Sequence, residues 1–200
     1  MIRAILADCL EEGMVVSESM EERLARAFVA EPPKLNSTVT LVEYDPGWPG
    51  LFAREEARIR GALGSVAVVV EHVGSTSVPG LAAKPIVDVV LGVPDSTDEV
   101  AYVPLLEAAG YVLRIREAED EHRMFKGPDT DVNLHVYSAG CAEIARMVGF
   151  RDRLRAVPAE RELYERTKRG LAARTWTYVQ EYAEAKSEVV AGILGRVGSV

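Results

Sequence analysis

The sequence predicts an α/β (α+β) fold: a small mixed β-sheet flanked by helices, leading into a helical C-terminal part. Three observations carry this. The runs SVAVVVEHV at 65–73 and PIVDVVLGV at 85–93 are rich in β-branched residues and have the length of buried strands. Helix-like periodicity alternates with strand-like runs from residue 38 onward. After residue 141 the chain carries only helical patterns, each bounded by a proline or a capping residue.

Taken in order, the first 37 residues form an extension distinct from the domain at 38–200. Within it Ser19 and Glu22 have capping-box spacing, and Met20, Leu24 and Phe28 recur every four residues, predicting a helix at 20–29 that Pro32 and Pro33 stop. A short strand is expected at 39–43, a turn at Asp45-Pro46-Gly47, and a helix at 48–63 with Leu51, Phe52 and Ile59 inward. The two β-branched strands follow, separated by turns at Gly74 and Val78-Pro79-Gly80. A helix at 104–109 has proline in its first turn and Gly110 beyond its end. Strands are expected at 111–116 and 131–137, then helices at 141–156, 158–173 and 177–194, the last opened by Thr177 and Gln180. There is no internal repeat or low-complexity tract.

The composition narrows the function classes. With 48% hydrophobic and 27% charged residues in 200, the chain suits one main domain. No apolar run approaches the roughly 20 residues of a membrane-spanning helix. Asp8, Glu11 and Glu12 interrupt the N-terminal segment where a signal peptide needs an apolar run, so a cytoplasmic protein is expected. Cys9 and Cys141 lack metal or disulfide spacing. A net charge of -8 argues against an extended nucleic-acid surface. Any polyanionic partner should be small and locally bound. The cations at Arg114, Arg116, Arg123, Lys126, Arg151, Arg153 and Arg155 read first as a solvated face.

Candidate chemistry gathers between residues 71 and 137. Gly74-Ser75-Thr76-Ser77 follows a buried strand, where successive backbone N–H groups form an anion-binding concavity and hydroxyls add donors. The alternative is an ordinary turn. Asp88, among apolar neighbours in IVDVVLGV, needs a hydrogen bond, cation or metal to offset lost hydration. Lys84 can serve either a phosphate or Asp88 itself. Alternation in DVNLHVY sets Val132, Leu134 and Val136 on one face and Asp131, Asn133, His135 and Tyr137 on the other. His135 and Asn133 are therefore candidates to bind substrate or hold a metal beside Asp88. Of Glu71 and His72 only one can face that cavity, and His72, two residues before Gly74 and so on that glycine's side, is the one expected to.

The segments EYDPGWPGLF, EHVGSTSVPGLAAKPIVDVVL, NLHVY, GFRDRLRAVP, LYERTKRGLA and EYAEAKSEVV, in that order over 39–194, resemble the GrpB family (UPF0157-like). The resemblance implies a nucleotidyltransferase-like fold. It aligns the family's histidine with His72, its turn with Gly74, Ser75 and Thr76, and its KPxxD with Lys84, Pro85 and Asp88. The later histidine is His135, the FRDxLR element Phe150 to Arg155, and the helical lysines Lys168 and Lys186. On this reading Asp88, His135 and Lys84 are catalytic, and His72, Gly74, Ser75, Thr76, Arg151, Arg155 and Lys168 bind substrate phosphate. Magnesium sits on Asp88 with Asp131 or Glu71, and the partner is a nucleoside triphosphate or another phosphorylated small molecule. Family members fused to dephospho-coenzyme A kinase add a link to coenzyme A metabolism. Two departures bear on catalysis: Ile86 stands where nucleotidyltransferases carry a first acid, and Asn133 where relatives often carry histidine. Two-metal catalysis needs several carboxylates. A non-catalytic nucleotide-binding regulatory or scaffolding module is the competing expectation.

Overall fold

A computed structural model describes residues 18–129 and 131–196. The acidic N-terminal segment with Asp8, Glu11, Glu12 and Cys9 lies outside them. Helix α1 (Met20–Ala27) opens with the reciprocal cap expected, Ser19 Oγ accepting from the Glu22 N–H and Glu22 accepting from the Ser19 N–H. Beyond it, Phe28 bridges to Ile115 and the Val29 N–H donates to the Arg114 carbonyl, so this segment docks on the edge of the sheet.

Five strands form that sheet: β1 (Val69–Val73), β2 (Val87–Val93), β3 (Val112–Glu117), β4 (His122–Lys126) and β5 (Val132–Ser138), in the order β1-β2-β5-β4-β3. Only β2 and β5 are parallel. Their crossover carries the short helix α3 (Val103–Ala108) together with β3 and β4. One sheet face, with Val87, Val89 and Leu91 of β2 and Val132, Leu134 and Val136 of β5, packs against α2 (Trp48–Leu63) and α3 as the main core. The opposite face meets α4 (Ala142–Ala156), where Val90, Tyr137 and Ile144 form a smaller cluster. Helices α5 (Pro158–Ala172), α6 (Val179–Glu184) and α7 (Ser187–Leu194) build outward from α4. Among the described residues no helix is long and apolar enough to cross a membrane.

Three expectations are corrected. The segment at 39–43 is not a strand but one isolated bridge between Val42 and Ala83. The helix expected at 177–194 is two, broken at Ala185 and Lys186, and its opening is held by the Glu181 carboxylate, which accepts from the Thr177 and Tyr178 N–H groups at 2.7 and 2.9 Å. Strand β4 was not foreseen, because HRMFK has neither an apolar run nor a clean alternation. It is buried because its charges are paired: Arg123 reaches Glu99 at 2.6 Å, and Arg116 of β3 reaches the same carboxylate at 2.7 Å. Those two arginines are therefore ion-paired, not a freely solvated face.

Candidate functional site

Asp88 is second in β2, opposite Val73 of β1 and Asn133 of β5. Its parity directs it away from the main core, along with Asn133, His135 and Tyr137. Helices α4 to α7 do not close over this part of the sheet. They leave a cavity of about 580 Å³ whose floor includes Asp88, Asn133 and His135, and whose wall carries Tyr164, Lys168 and Lys186. That volume lies within the roughly 300–1,000 Å³ of small-molecule sites.

At the mouth of β1 the chain turns at Gly74, with φ at +67°. A Cβ there would overlap the Asp88 side chain, so both the backbone conformation and the space demand glycine. The residues after it form a single 3₁₀ turn, Ser75–Ser77. Ser75 faces the cavity, its Oγ accepting from the Lys168 Nζ at 3.0 Å. Thr76 is buried instead, bridging His72 Nε2 at 3.1 Å and the Ile86 carbonyl at 3.1 Å.

Three lysines converge on the cavity from different elements. Lys168 of α5 is 2% exposed and donates to Ser75 and to the Ala82 carbonyl. Lys84 and Lys186 both lie over the Tyr182 ring, at 5.9 and 4.7 Å from its centre. Burial pushes all three ammonium groups below their ordinary range, against the attraction of Asp88. Burial, with Lys186 next, takes Lys168 down to about 7. Among the described residues none of the three has a carboxylate within the 4.0 Å of an ion pair.

The cations share one carboxylate at longer range. Asp88 lies deep in the cavity with 27% of its side chain exposed to that space. Burial works to raise its pKa, but His135, 3.8 Å away, the Asn133 amide donating at 2.8 Å, and the charge of Lys84 outweigh it and hold the group below its ordinary value. On the far side of Asp88, His135 Nδ1 meets His122 Nε2 at 3.0 Å, and His122 Nδ1 meets Glu117 at 2.7 Å. Neither Glu117 nor His122 was singled out from sequence. Their signal was hidden with β4: only strand pairing across β5, β4 and β3 lines them up.

The structure thus brings together Gly74, Ser75, Lys84, Asp88, His135 and Lys168. Four predicted residues stand elsewhere. His72 points into the main-core side of the sheet, stacked on Phe52 with ring centres 4.9 Å apart. Its parity with Gly74 does not carry, because the chain leaves the strand at that glycine. Thr76 serves the turn itself. Arg151 is engaged by Glu71 at 2.7 Å, Asp152 at 2.8 Å and the His72 carbonyl at 2.9 Å. Arg155 donates twice to the Ser77 carbonyl. These two arginines brace the turn from behind.

The donor set does not fit a two-metal clamp. Asp131 is paired with Lys126 at 3.0 Å, Glu71 with Arg151, and Ile86 and Asn133 bring no carboxylate. Among the described residues no three His, Cys, Asp or Glu side chains group as metal ligands. Asp88 faces an amide donor and three lysines, surroundings that serve an anion and its counter-charge rather than a cation.

The family model described as GrpB protein matches residues 38–196. A UPF0157 protein of Halalkalibacterium halodurans is 57% identical over 180 residues, covering 90% of this chain and 92% of that one. A UPF0157 protein of Streptomyces coelicolor is 47% identical over 161 residues, covering 80% and 85%. A dephospho-CoA kinase of Mycolicibacterium paratuberculosis matches 76 residues at 41% identity, 36% of this chain and 19% of that protein. The crystal structure of conserved protein GrpB from Enterococcus faecalis superposes with a TM-score of 0.64 at 31% identity, over 78% of this chain and 98% of that one. The cavity with Asp88 on its floor and Lys84, Lys168 and Lys186 around it is therefore held on a five-stranded sheet within the matched region, and the chain belongs to the GrpB family.

Proposed function

We propose that the cavity binds a phosphorylated small molecule, with a nucleotide the leading class. One observation carries this reading: the buried Lys168 and the half-buried Lys84 and Lys186 face a shared space without an ion-pair partner among the described residues. Buried ammonium groups are stable only when neutral or matched by an anion, and a phosphate matches several at once. Ser75 and the backbone of its turn add donors at the same end, while Tyr164 and Tyr182 offer aromatic surface for a less polar moiety.

A thermal-shift screen tests it, with ATP, ADP, AMP, coenzyme A and dephospho-coenzyme A, each with and without magnesium. The partial match to a dephospho-CoA kinase is the reason for including the last two. A ligand at about 100 times its Kd should stabilise the fold by about 2.7 kcal/mol. Lys84→Ala and Lys168→Met should weaken the response. No response from any phosphorylated compound, or an undiminished response in both variants, overturns the reading.

A magnesium-dependent nucleotidyltransferase is the second reading, favoured by Asp88 lying directly beside the Gly74-Ser75 turn. It requires the triphosphate itself to supply the metal ligands that the side chains lack. Stabilisation by ATP that depends on magnesium, together with ATP turnover lost in Asp88→Asn, distinguishes it from binding alone.

A further inference from the structure

Glu117, His122, His135 and Asp88 form one line across the open face of the sheet, drawn from β3, β4, β5 and β2. The contacts are 2.7 Å from Glu117 Oε2 to His122 Nδ1, 3.0 Å from His122 Nε2 to His135 Nδ1, and 3.8 Å from His135 Nε2 to Asp88 Oδ1. The two imidazoles are within 15° of parallel with centres 5.2 Å apart. With nitrogens only 3.0 Å apart, that separation means the rings meet edge to edge, as a hydrogen bond requires. His122 is buried and braced on its other side by the Tyr137 ring.

The line has a direction. Burial works against an ionised Glu117, but the His122 hydrogen bond outweighs it and keeps the carboxyl below its ordinary value. A carboxylate only accepts, so His122 presents Nδ1–H to Glu117 and a lone pair at Nε2. Burial, opposed by Glu117, holds His122 below the ordinary imidazole value, in the neutral form this arrangement needs. His135 must then donate from Nδ1. This holds for neutral and protonated His135 alike, so the neutral ring has its lone pair at Nε2, which faces Asp88 and the cavity.

We infer that His135 Nε2 is the proton-accepting atom of the cavity, taking a proton from a hydroxyl or amine of the bound ligand, and that Glu117 and His122 are positioning residues that fix its tautomer. The inference rests on the binding reading above for the identity of the substrate class. In the step, the ligand's O–H or N–H bond breaks, its electron pair stays on the oxygen or nitrogen, and the proton bonds to Nε2. The resulting imidazolium faces the Asp88 carboxylate and keeps its Nδ1–H on His122. The lysines hold the phosphate end of the same molecule, which makes the cavity a site for activating a nucleophilic group near a phosphoryl group.

Long-range ¹H–¹⁵N correlation spectra of the ligand-free protein test it, and with only three histidines in the chain the imidazole signals are readily assigned. The expected pattern is a protonated Nδ1 on both His122 and neutral His135, with Nε2 of each the unprotonated nitrogen. Glu117→Met removes the acceptor and leaves His122 Nδ1–H buried without a partner, a cost that the opposite tautomer avoids by donating from Nε2 to His135. That change should reverse His122 and, through it, His135 to the Nε2–H form, an effect two rings away that loss of packing does not produce. A native His135 carrying its neutral-state proton on Nε2 overturns the inference even if the variant does not fold. So does a folded Glu117→Met protein with His135 unchanged. Because these spectra contain no ligand, their outcome is separable from that of the ligand screen.

Discussion

Asn133 donates its side-chain amide to the Asp88 carboxylate at 2.8 Å across the parallel pair of strands, from the register position directly opposite it. A carboxylate at that register position would instead make a pair suited to a divalent cation. Ligand stabilisation of the native protein is accordingly expected to be indifferent to magnesium, and Asn133→Asp to become magnesium-responsive. Thermal-shift titrations with and without the metal read this directly. Equal magnesium dependence in both proteins contradicts it.

Lys168 ties affinity and stability to pH with opposite signs. Its folded value is about 7 against an ordinary 10.5, so between those limits the unfolded chain binds more protons. Stability from this group therefore rises as pH increases from about 7 toward 10.5, while affinity for a phosphate falls as the ammonium is lost. Phosphate monoesters lose charge below about pH 6, so affinity should peak between about 6 and 7. Lys168→Met should remove the alkaline decline and cost about 1.5–3 kcal/mol of binding at pH 6.5, the value of a charged hydrogen bond. Calorimetric titration across pH checks both.

Gly74→Ala should be strongly destabilising. The backbone there has φ at +67°, and the added carbon collides with Asp88. Strain of this kind costs about 1–3 kcal/mol before the displaced carboxylate is counted. Chemical denaturation should show a loss of at least that size, and a change below about 0.5 kcal/mol would mean the turn is not held as described.

His72 should contribute to acid sensitivity while taking no part in ligand contact. Burial pushes it from about 6.5 to about 4, so its neutral form stabilises the fold above pH 6.5, and this stabilisation is lost as pH falls toward 4. The upper bound is about 3 kcal/mol. His72→Gln can keep the bond to Thr76 without titrating, so the stability gap between native and variant proteins should shift against the native one between pH 7 and pH 4. A constant gap in urea denaturation would exclude this role.

Removing Arg151 should weaken the fold by about 1–3 kcal/mol, because it leaves the His72 carbonyl and two carboxylates without their donor. Ligand affinity per folded molecule should change less than in Lys84→Ala. Urea denaturation and ligand titration of Arg151→Ala separate the two effects, and the reverse order would return this arginine to the phosphate site.

Local pattern was enough for much of this molecule. The β-branched runs around Val70 and Val89, the alternation in β5 and the proline-marked helices are set by short-range chemistry, so the mixed sheet and its polar face at Asn133 and His135 could be read directly from the chain. The glycine turn, Lys84 and Asp88 were legible for the same reason, being contiguous in sequence. What the sequence could not determine was everything that depends on which charges meet. Arg123 and Arg116 look solvated until Glu99 is placed between them, and Arg151 looks free until Glu71 is found beside it. Strand β4 was lost for that reason, and with it the Glu117, His122 and His135 line. The stretch from Gly74 to Asp88 keeps its place at the centre of the site; the family resemblance already named Lys168 and Lys186, but only the tertiary structure brings them from distant helices to the same cavity. A charge's partner is chosen by distance in space, and no periodicity along the chain records it.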